Sequence, residues 1–267
     1  MQLHRVEPGL KVILSKCDPN DTSGYKGDKT DALVEIAKLV RKLDSLQETL
    51  YAEHKHKVLI VLQAMDTGGK DGTVRHVFSG INPSGVCVAS FKQPTPEELD
   101  HDYLWRIHQM VPGKGEMVIF NRSHYEDVLI VRVNGLVPRK DWELRYDQIN
   151  EFEKYLTQNG MTILKFYLHI DKDEQKERLK ARLDDSSKHW KFSLADLQER
   201  KLWPDYMQAY QDVLNLTSTS WAPWYVVPAN HKWYRDLVIS TVLVQTLEDL
   251  KMKFPQTNVD LADVTVK

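Results

Sequence analysis

Apolar residues in this 267-residue chain recur with two different periods, and the alternation between those periods predicts the layout of the fold. From residue 31 to about 53, Leu33, Ile36, Ala37, Leu39, Val40, Leu43, Leu46 and Leu50 fall three and four apart, which predicts an amphipathic helix. Residues 58–62 (Val-Leu-Ile-Val-Leu) then run without alternation, as in a strand buried on both faces, the habit of parallel sheets. Similar short runs occupy 86–91, 117–120, 161–170 and 224–227, separated by helical patterns at about 71–80, 96–110, 141–158, 172–183, 205–219 and 232–253. Strands alternating with helices imply βαβ units, so the expected class is α/β, with a parallel sheet between helices and ligands bound at the carboxyl ends of the strands. Residues 1–28, rich in Gly, Pro, Asp and Asn, predict an irregular arm. The expected organisation is an arm and helix over 1–54, a core over 55–253 and a loose tail over 254–267.

Composition is ordinary for a soluble globular protein, with 42% hydrophobic and 28% charged residues. No apolar run approaches the roughly 18–20 residues that span a bilayer, and the N-terminus lacks the apolar stretch and cleavage site of a secretory signal. Two cysteines, Cys17 and Cys87, make no disulfide framework. These features predict a cytoplasmic enzyme that needs neither membrane nor nucleic acid as a partner. The net charge of −2 is unevenly spread. Between Lys176 and Lys191 lie six Lys or Arg against three acids, a run that reads as a solvated helix face unless a phosphate site lies elsewhere in the chain.

Such a site is suggested where the first strand ends, in Gln63-Ala64-Met65-Asp66-Thr67-Gly68-Gly69-Lys70-Asp71-Gly72-Thr73, with a helix expected immediately after Lys70. Phosphate oxygens need several converging backbone N–H groups, glycines allow the chain to approach, and the helix N-terminus adds its positive dipole end. Lys70 supplies a mobile point charge. The pattern G-x-x-x-x-G-K-[ST] is met incompletely, because Ala64 takes the first Gly position and Asp71 the Ser/Thr position, with Thr73 two residues on. The usual hydroxyl ligand for Mg²⁺ is therefore missing. A carboxylate among phosphates is repelled unless a cation intervenes, so Asp66 reads as a magnesium ligand, direct or through water, or as a base orienting the accepting phosphate.

Ala64-Met65-Asp66-Thr67-Gly68-Gly69-Lys70-Asp71-Gly72-Thr73 resembles the Walker A loop of the polyphosphate kinase 2 family. Three further stretches match in the same order. Phe91-Lys92-Gln93-Pro94-Thr95-Pro96-Glu97-Glu98 is similar to the segment after strand two, and 115–127, ending in Asn121-Arg122-Ser123-His124-Tyr125-Glu126-Asp127, to the Walker B region. Residues 182–193 are similar to the lid, expected here at about 183–204. The resemblance covers roughly residues 30–253. It implies a three-layer αβα P-loop kinase sandwich with a helical lid, and reversible, Mg²⁺-dependent phosphoryl transfer between inorganic polyphosphate and a nucleotide.

Carried over by position, the resemblance makes Lys70 and the backbone of 68–72 (Gly68, Gly69, Asp71, Gly72), with Thr67 and Thr73, the phosphate cradle. Arg122 clamps charge opposite the loop, and Arg178 and Arg182 close from the lid. Many family members carry Asp-Arg-Ser-Trp-Tyr-Asn-Arg after strand three; here the amide Asn121 replaces the first acid, so the metal needs Asp66, Glu126 or Asp127. This form resembles the class III-like branch that phosphorylates both AMP and ADP, with Asn121 and Glu126 expected at the nucleotide. A polyanionic donor calls for a basic channel, for which Lys92, Arg106, Arg132 and Lys188 are candidates. The resemblance also implies a homo-oligomer, a dimer or a tetramer. The tryptophans read as core or interface residues. The rival readings are an ATP-dependent P-loop kinase of nucleotides or small metabolites, and a non-catalytic nucleotide- or polyanion-binding protein.

Overall fold

The computed structural model describes residues 4–256. Five strands, β1 (Lys57–Ala64), β2 (Val86–Ser90), β3 (Met117–Asn121), β4 (Met161–His169) and β5 (Trp224–Pro228), form one parallel sheet in the order β2-β3-β1-β4-β5. The apolar run of β1 faces helices on both sides and is buried from Val58 to Ala64. Its register sets Val61 beside Phe120 of β3 and Lys165 of β4. Because β1 lies between strands reached by opposite crossovers, its carboxyl end is the switch point where an open α/β sheet leaves a crevice.

Two cores follow from the alternation along the strands. Leu59, Val61, Val118, Phe120, Ile163 and Tyr167 face α6 (Arg139–Gln158) and α9 (Trp203–Thr217). Val58, Ile60, Leu62, Leu164 and Phe166 face α1 (Lys29–Glu53), α2 (Lys70–Val77) and α10 (Lys232–Asp249). The architecture is the expected three-layer αβα sandwich. α1 starts at a capping box in which Asp28 accepts from the amides of Thr30 and Asp31, and it packs along α10.

The structure departs from the sequence pattern in three places. The helix expected over 96–110 is two short ones, α3 (Pro96–Asp100) and α4 (Trp105–His108), because Asp102 restarts the chain by accepting from the Leu104 amide through its carboxylate. α5 (Ile130–Val133) falls where no helix was expected; α7 (Lys172–Asp184) lies where one was, and α8 (Leu194–Lys201) falls within the segment expected as a helical lid. The arm is irregular as expected, yet it is bound to the edge of β5: Arg5 bridges Tyr225, the Val6 amide donates to the Trp224 carbonyl, and Val6 and Leu14 enter the core. Among the described residues no helix is long and apolar enough to cross a membrane. Most of the tail expected over 254–267 lies outside the described residues.

Candidate active site

The loop between β1 and α2 turns sharply at two positions. Gly69 caps α2 at φ +110°, where a Cβ would stand 2.2 Å from Nη1 of Arg235, and a Cβ on Gly68 would meet the Ala64 Cβ at 2.5 Å. Thr67 also adopts a left-handed φ of +63°, strained for a β-branched residue. Such strain persists only where surroundings enforce it, and here they do so from the carbonyl side. Lys70 Nζ donates to the Ala64 carbonyl (2.8 Å), Gln175 Nε2 to that of Asp66 (3.0 Å), Arg178 Nη1 to that of Thr67 (3.0 Å) and Arg235 Nη1 to that of Gly69 (3.3 Å). Three loop carbonyls, and that of Ala64 at the end of β1, are thus held by side-chain donors. The first amides of α2 have no helical carbonyl to satisfy them, an arrangement suited to an anion at a helix N-terminus. The hydroxyls of Thr67 and Thr73 are buried without a partner among the described residues.

Across the loop, β3 ends at Asn121 and the chain turns through Arg122 at φ +65°. Arg122 Nη2 meets Asp66 Oδ1 at 3.0 Å. A cleft of about 40 Å³ opens between them, lined by Asp66, Arg122, Glu126, Glu199, Tyr206 and Tyr210 among others. Burial pushes the Glu126 carboxyl above its usual range, with Arg122 and Lys70 pulling the other way. Burial also lowers the Lys70 ammonium, and the Arg122 charge adds to this. Arg122 itself stays firmly charged, since Glu126 and Asp66 outweigh its desolvation.

The segment after α7 reaches back over this loop. Lys191 Nζ donates to Asp71 Oδ2 (2.8 Å) while Asn121 Nδ2 donates to Asp71 Oδ1 (2.9 Å). The Lys191 contact chiefly, joined by Asn121, holds the Asp71 carboxyl below its usual range. Arg182 donates to the Lys191 carbonyl and pairs with Asp196 of α8.

The structure therefore brings together Asp66, Thr67, Gly68, Gly69, Lys70, Asp71, Gly72, Asn121, Arg122 and Glu126, with Thr73 in the next turn. Other expected residues stand elsewhere or face differently. Arg178 does not close from above: its guanidinium is engaged behind the loop by Glu174 and by the carbonyls of Thr67, Ala229 and Asn230. Asp127 points away from the cleft into a 2.7 Å pair with Arg145. Arg132 is engaged by Asp212 (2.7 Å) and Tyr146. Arg106 is buried against the Lys92 carbonyl and Glu98. Lys188 pairs with Asp185 of its own turn, and Lys92 is exposed beyond β2. Sequence reasoning missed Arg235, 166 residues from Gly69, and the wall residues Glu199, Tyr206 and Tyr210. No local pattern marks them, although a basic residue opening α10 beyond a buried strand was a usable signal.

Comparison with known proteins agrees with this geometry. The family model described as Polyphosphate kinase 2 (PPK2) matches residues 26–255. The chain is 59% identical, over 96% of each sequence, to an AMP/ADP-polyphosphate phosphotransferase of Meiothermus ruber. It is 46% identical to an ADP-polyphosphate phosphotransferase of Rhodopseudomonas palustris, over 95% of this chain and 91% of that one. The fold superposes on the crystal structure of polyphosphate kinase 2 from Arthrobacter aurescens TC1 with a TM-score of 0.93 and 48% identity, covering 97% and 92% of the two chains. On sequence, fold and loop geometry together, the chain belongs to the polyphosphate kinase 2 family.

Proposed function

We propose that this protein transfers the terminal phosphoryl group of inorganic polyphosphate reversibly to ADP and to AMP, yielding ATP and ADP. The observation that carries the reading is the facing pair of phosphate-binding elements: a nest of loop amides with Lys70 on one side, and Arg122 on the other, within reach of Asp66. Phosphoryl transfer asks for in-line positioning and for neutralisation of charge on the transferred group. Lys70 and the loop amides hold phosphate oxygens, Arg122 offers planar donors to the opposing phosphate, and Asn121 and Glu126 face the nucleotide. The names of the relatives from Meiothermus ruber and Rhodopseudomonas palustris support AMP and ADP as acceptors.

Transfer of this class calls for a divalent cation, which we infer to be Mg²⁺. Asp66, Glu126 and Glu199 line one cleft, and oxygen donors suit a hard cation. Mg²⁺ is usually held by one or two carboxylates plus substrate phosphates, which fits the lack, among the described residues, of a group of three His, Cys, Asp or Glu able to enclose a metal. When bound, the cation supplies positive charge between the phosphates. Asp66 is the first candidate to hold it, with Glu126 second.

Lys191, in the segment after α7, pairs with Asp71 of the phosphate loop. We infer that residues 183–204 act as a lid that opens for substrate and closes over it, excluding water. Arg182 belongs to this lid through Asp196, and Lys188 and Lys191 carry its charge toward a polyanion. We place the enzyme in the cytoplasm as a homo-oligomer, the exposed Leu33 and Val34 of α1 supporting an assembly face. Incubation with polyphosphate, Mg²⁺ and either ADP or AMP, without ATP, tests the proposal. Phosphorylated product is expected from both acceptors. Turnover with ATP as the only effective donor would establish the rival kinase reading.

A further inference from the structure

The core beneath α6 and α9 contains an ion pair that the chemistry above does not use. Lys165, in the middle of β4, and Glu153, on α6, are both fully buried. Lys165 Nζ donates to Glu153 Oε2 (2.6 Å), the Tyr125 hydroxyl (2.8 Å) and the Thr217 carbonyl (2.7 Å), so all three of its donors are placed. The Tyr125 hydroxyl donates to Glu153 Oε1 (2.8 Å), and His124 Nε2 meets the same oxygen at 3.2 Å. Removing an ammonium and a carboxylate from water costs several kcal/mol per ion, and an apolar pair of similar volume is often as stable or more so. Stability alone gives no reason for charges here.

What the pair grips is informative. His124 and Tyr125 open the 3₁₀ turn His124–Val128, two and three residues beyond Arg122. Arg122 holds a left-handed φ of +65°, a conformation that side chains abandon unless both flanks are fixed. On one flank the Arg122 amide donates to the Leu62 carbonyl (3.3 Å), which ties it to β1. On the other flank Ser123 Oγ accepts from Gln63 Nε2 and from the Tyr125 amide, and then the buried pair anchors His124 and Tyr125.

We propose that the buried Lys165–Glu153 pair, acting through Tyr125 and His124, is a positioning device that fixes the strained turn at Arg122 and so aims its guanidinium at the phosphate loop. Tyr125→Phe removes one hydroxyl and leaves Lys165 paired with Glu153 and Thr217. Turnover and KM are measured for Tyr125→Phe, Arg122→Ala and the double variant, alongside thermal melting. Tyr125→Phe is expected to lower kcat about tenfold, as a small misplacement of a charge does, with KM changed less than twofold. In the Arg122→Ala background the same change is expected to have less than a twofold effect, because the positioned group is gone. An equal loss in both backgrounds, or no loss in the parent, overturns the proposal.

His124 supplies a second arm should Tyr125→Phe fold poorly. His124→Ala is expected to lose turnover similarly and His124→Gln, which keeps a donor toward Glu153, to restore it; equal losses overturn the proposal. The proposal rests on the site being a phosphotransferase. The cycle is read with whichever phosphoryl donor the parent enzyme uses, so failure of the polyphosphate assignment shows in the parent and leaves this test intact.

Discussion

Gly69→Ala probes the feature on which the proposed phosphate binding depends, the hold of buried donors on the loop carbonyls. Two terms add. Alanine at φ +110° is strained by about 1–2 kcal/mol. Its Cβ would also stand 2.2 Å from Arg235 Nη1, so the guanidinium has to retreat and release the Gly69 carbonyl. Arg235 is buried, and a lost hydrogen bond to a charged donor costs about 1.5–3 kcal/mol. Together the substitution should destabilise the fold by roughly 2.5–5 kcal/mol, which for a domain of this size lowers the melting temperature by about 5–20 °C. Gly80→Ala separates the terms, because Gly80 is at φ +83° with nothing within 4 Å of its virtual Cβ. It should show the backbone cost alone, about 1–2 kcal/mol. Both variants are followed by thermal and urea denaturation, with phosphoryl transfer measured on the folded fraction. Gly69→Ala is also expected to lose at least tenfold in turnover, and Gly80→Ala to keep it. Equal melting shifts for the two variants, or normal turnover in Gly69→Ala, would refute the argument that Arg235 shapes the nest.

Three further outcomes are expected. Lys70→Ala and Arg122→Ala should each lower transfer about 100-fold or more, as loss of one preorganised charge contact does, and Lys70→Ala should also melt lower because the Ala64 carbonyl loses its charged donor; near-parent turnover in a folded variant would remove that residue from the site. Burial raises the Asp127 carboxyl to about 6, with Arg145 pulling the other way. The folded state therefore binds this proton more tightly than the unfolded chain, whose carboxyl titrates near 4, and stability falls as pH rises from about 4 to about 6. Urea denaturation of Asp127→Asn should show its stability relative to the parent rising across that window and level above it; a flat or falling difference contradicts the assignment. Lys191→Ala cuts the ion pair between the lid segment and Asp71, so cleavage by a protease within 186–201 should quicken while the core stays intact, and an unchanged rate would show that the pair does not hold this segment down.

The sheet was legible because a strand covered on both faces must be apolar throughout, and residues 58–62 can satisfy little else. The strand–loop–helix turn proposed to hold phosphate was legible for a related reason: its constraint is local, since the glycines and lysine lie within a few residues of one another between a strand and a helix. Even Arg122 announced itself by standing at the carboxyl end of a buried strand. Irregularities such as the break at Asp102 were hidden, because one side chain accepting a main-chain amide outweighs a weak helical period.

What the tertiary structure decided concerns partners far apart in sequence. Lys92, Arg106, Arg132 and Lys188 looked alike as charges along a chain, yet three of them meet carboxylates and the fourth is left in solvent. Arg178 was expected to close over the loop and instead donates to the Thr67 carbonyl from behind it. Arg235 reaches Gly69 across 166 residues, and Lys165, set in an apolar run, finds Glu153 only when α6 packs on β4. Hydrophobic period and turn chemistry are properties of neighbours in sequence, so the chain alone specified the layers and the loop. Which carbonyl, carboxylate or cation each charged side chain meets depends on burial and orientation, and those exist only once the layers are stacked.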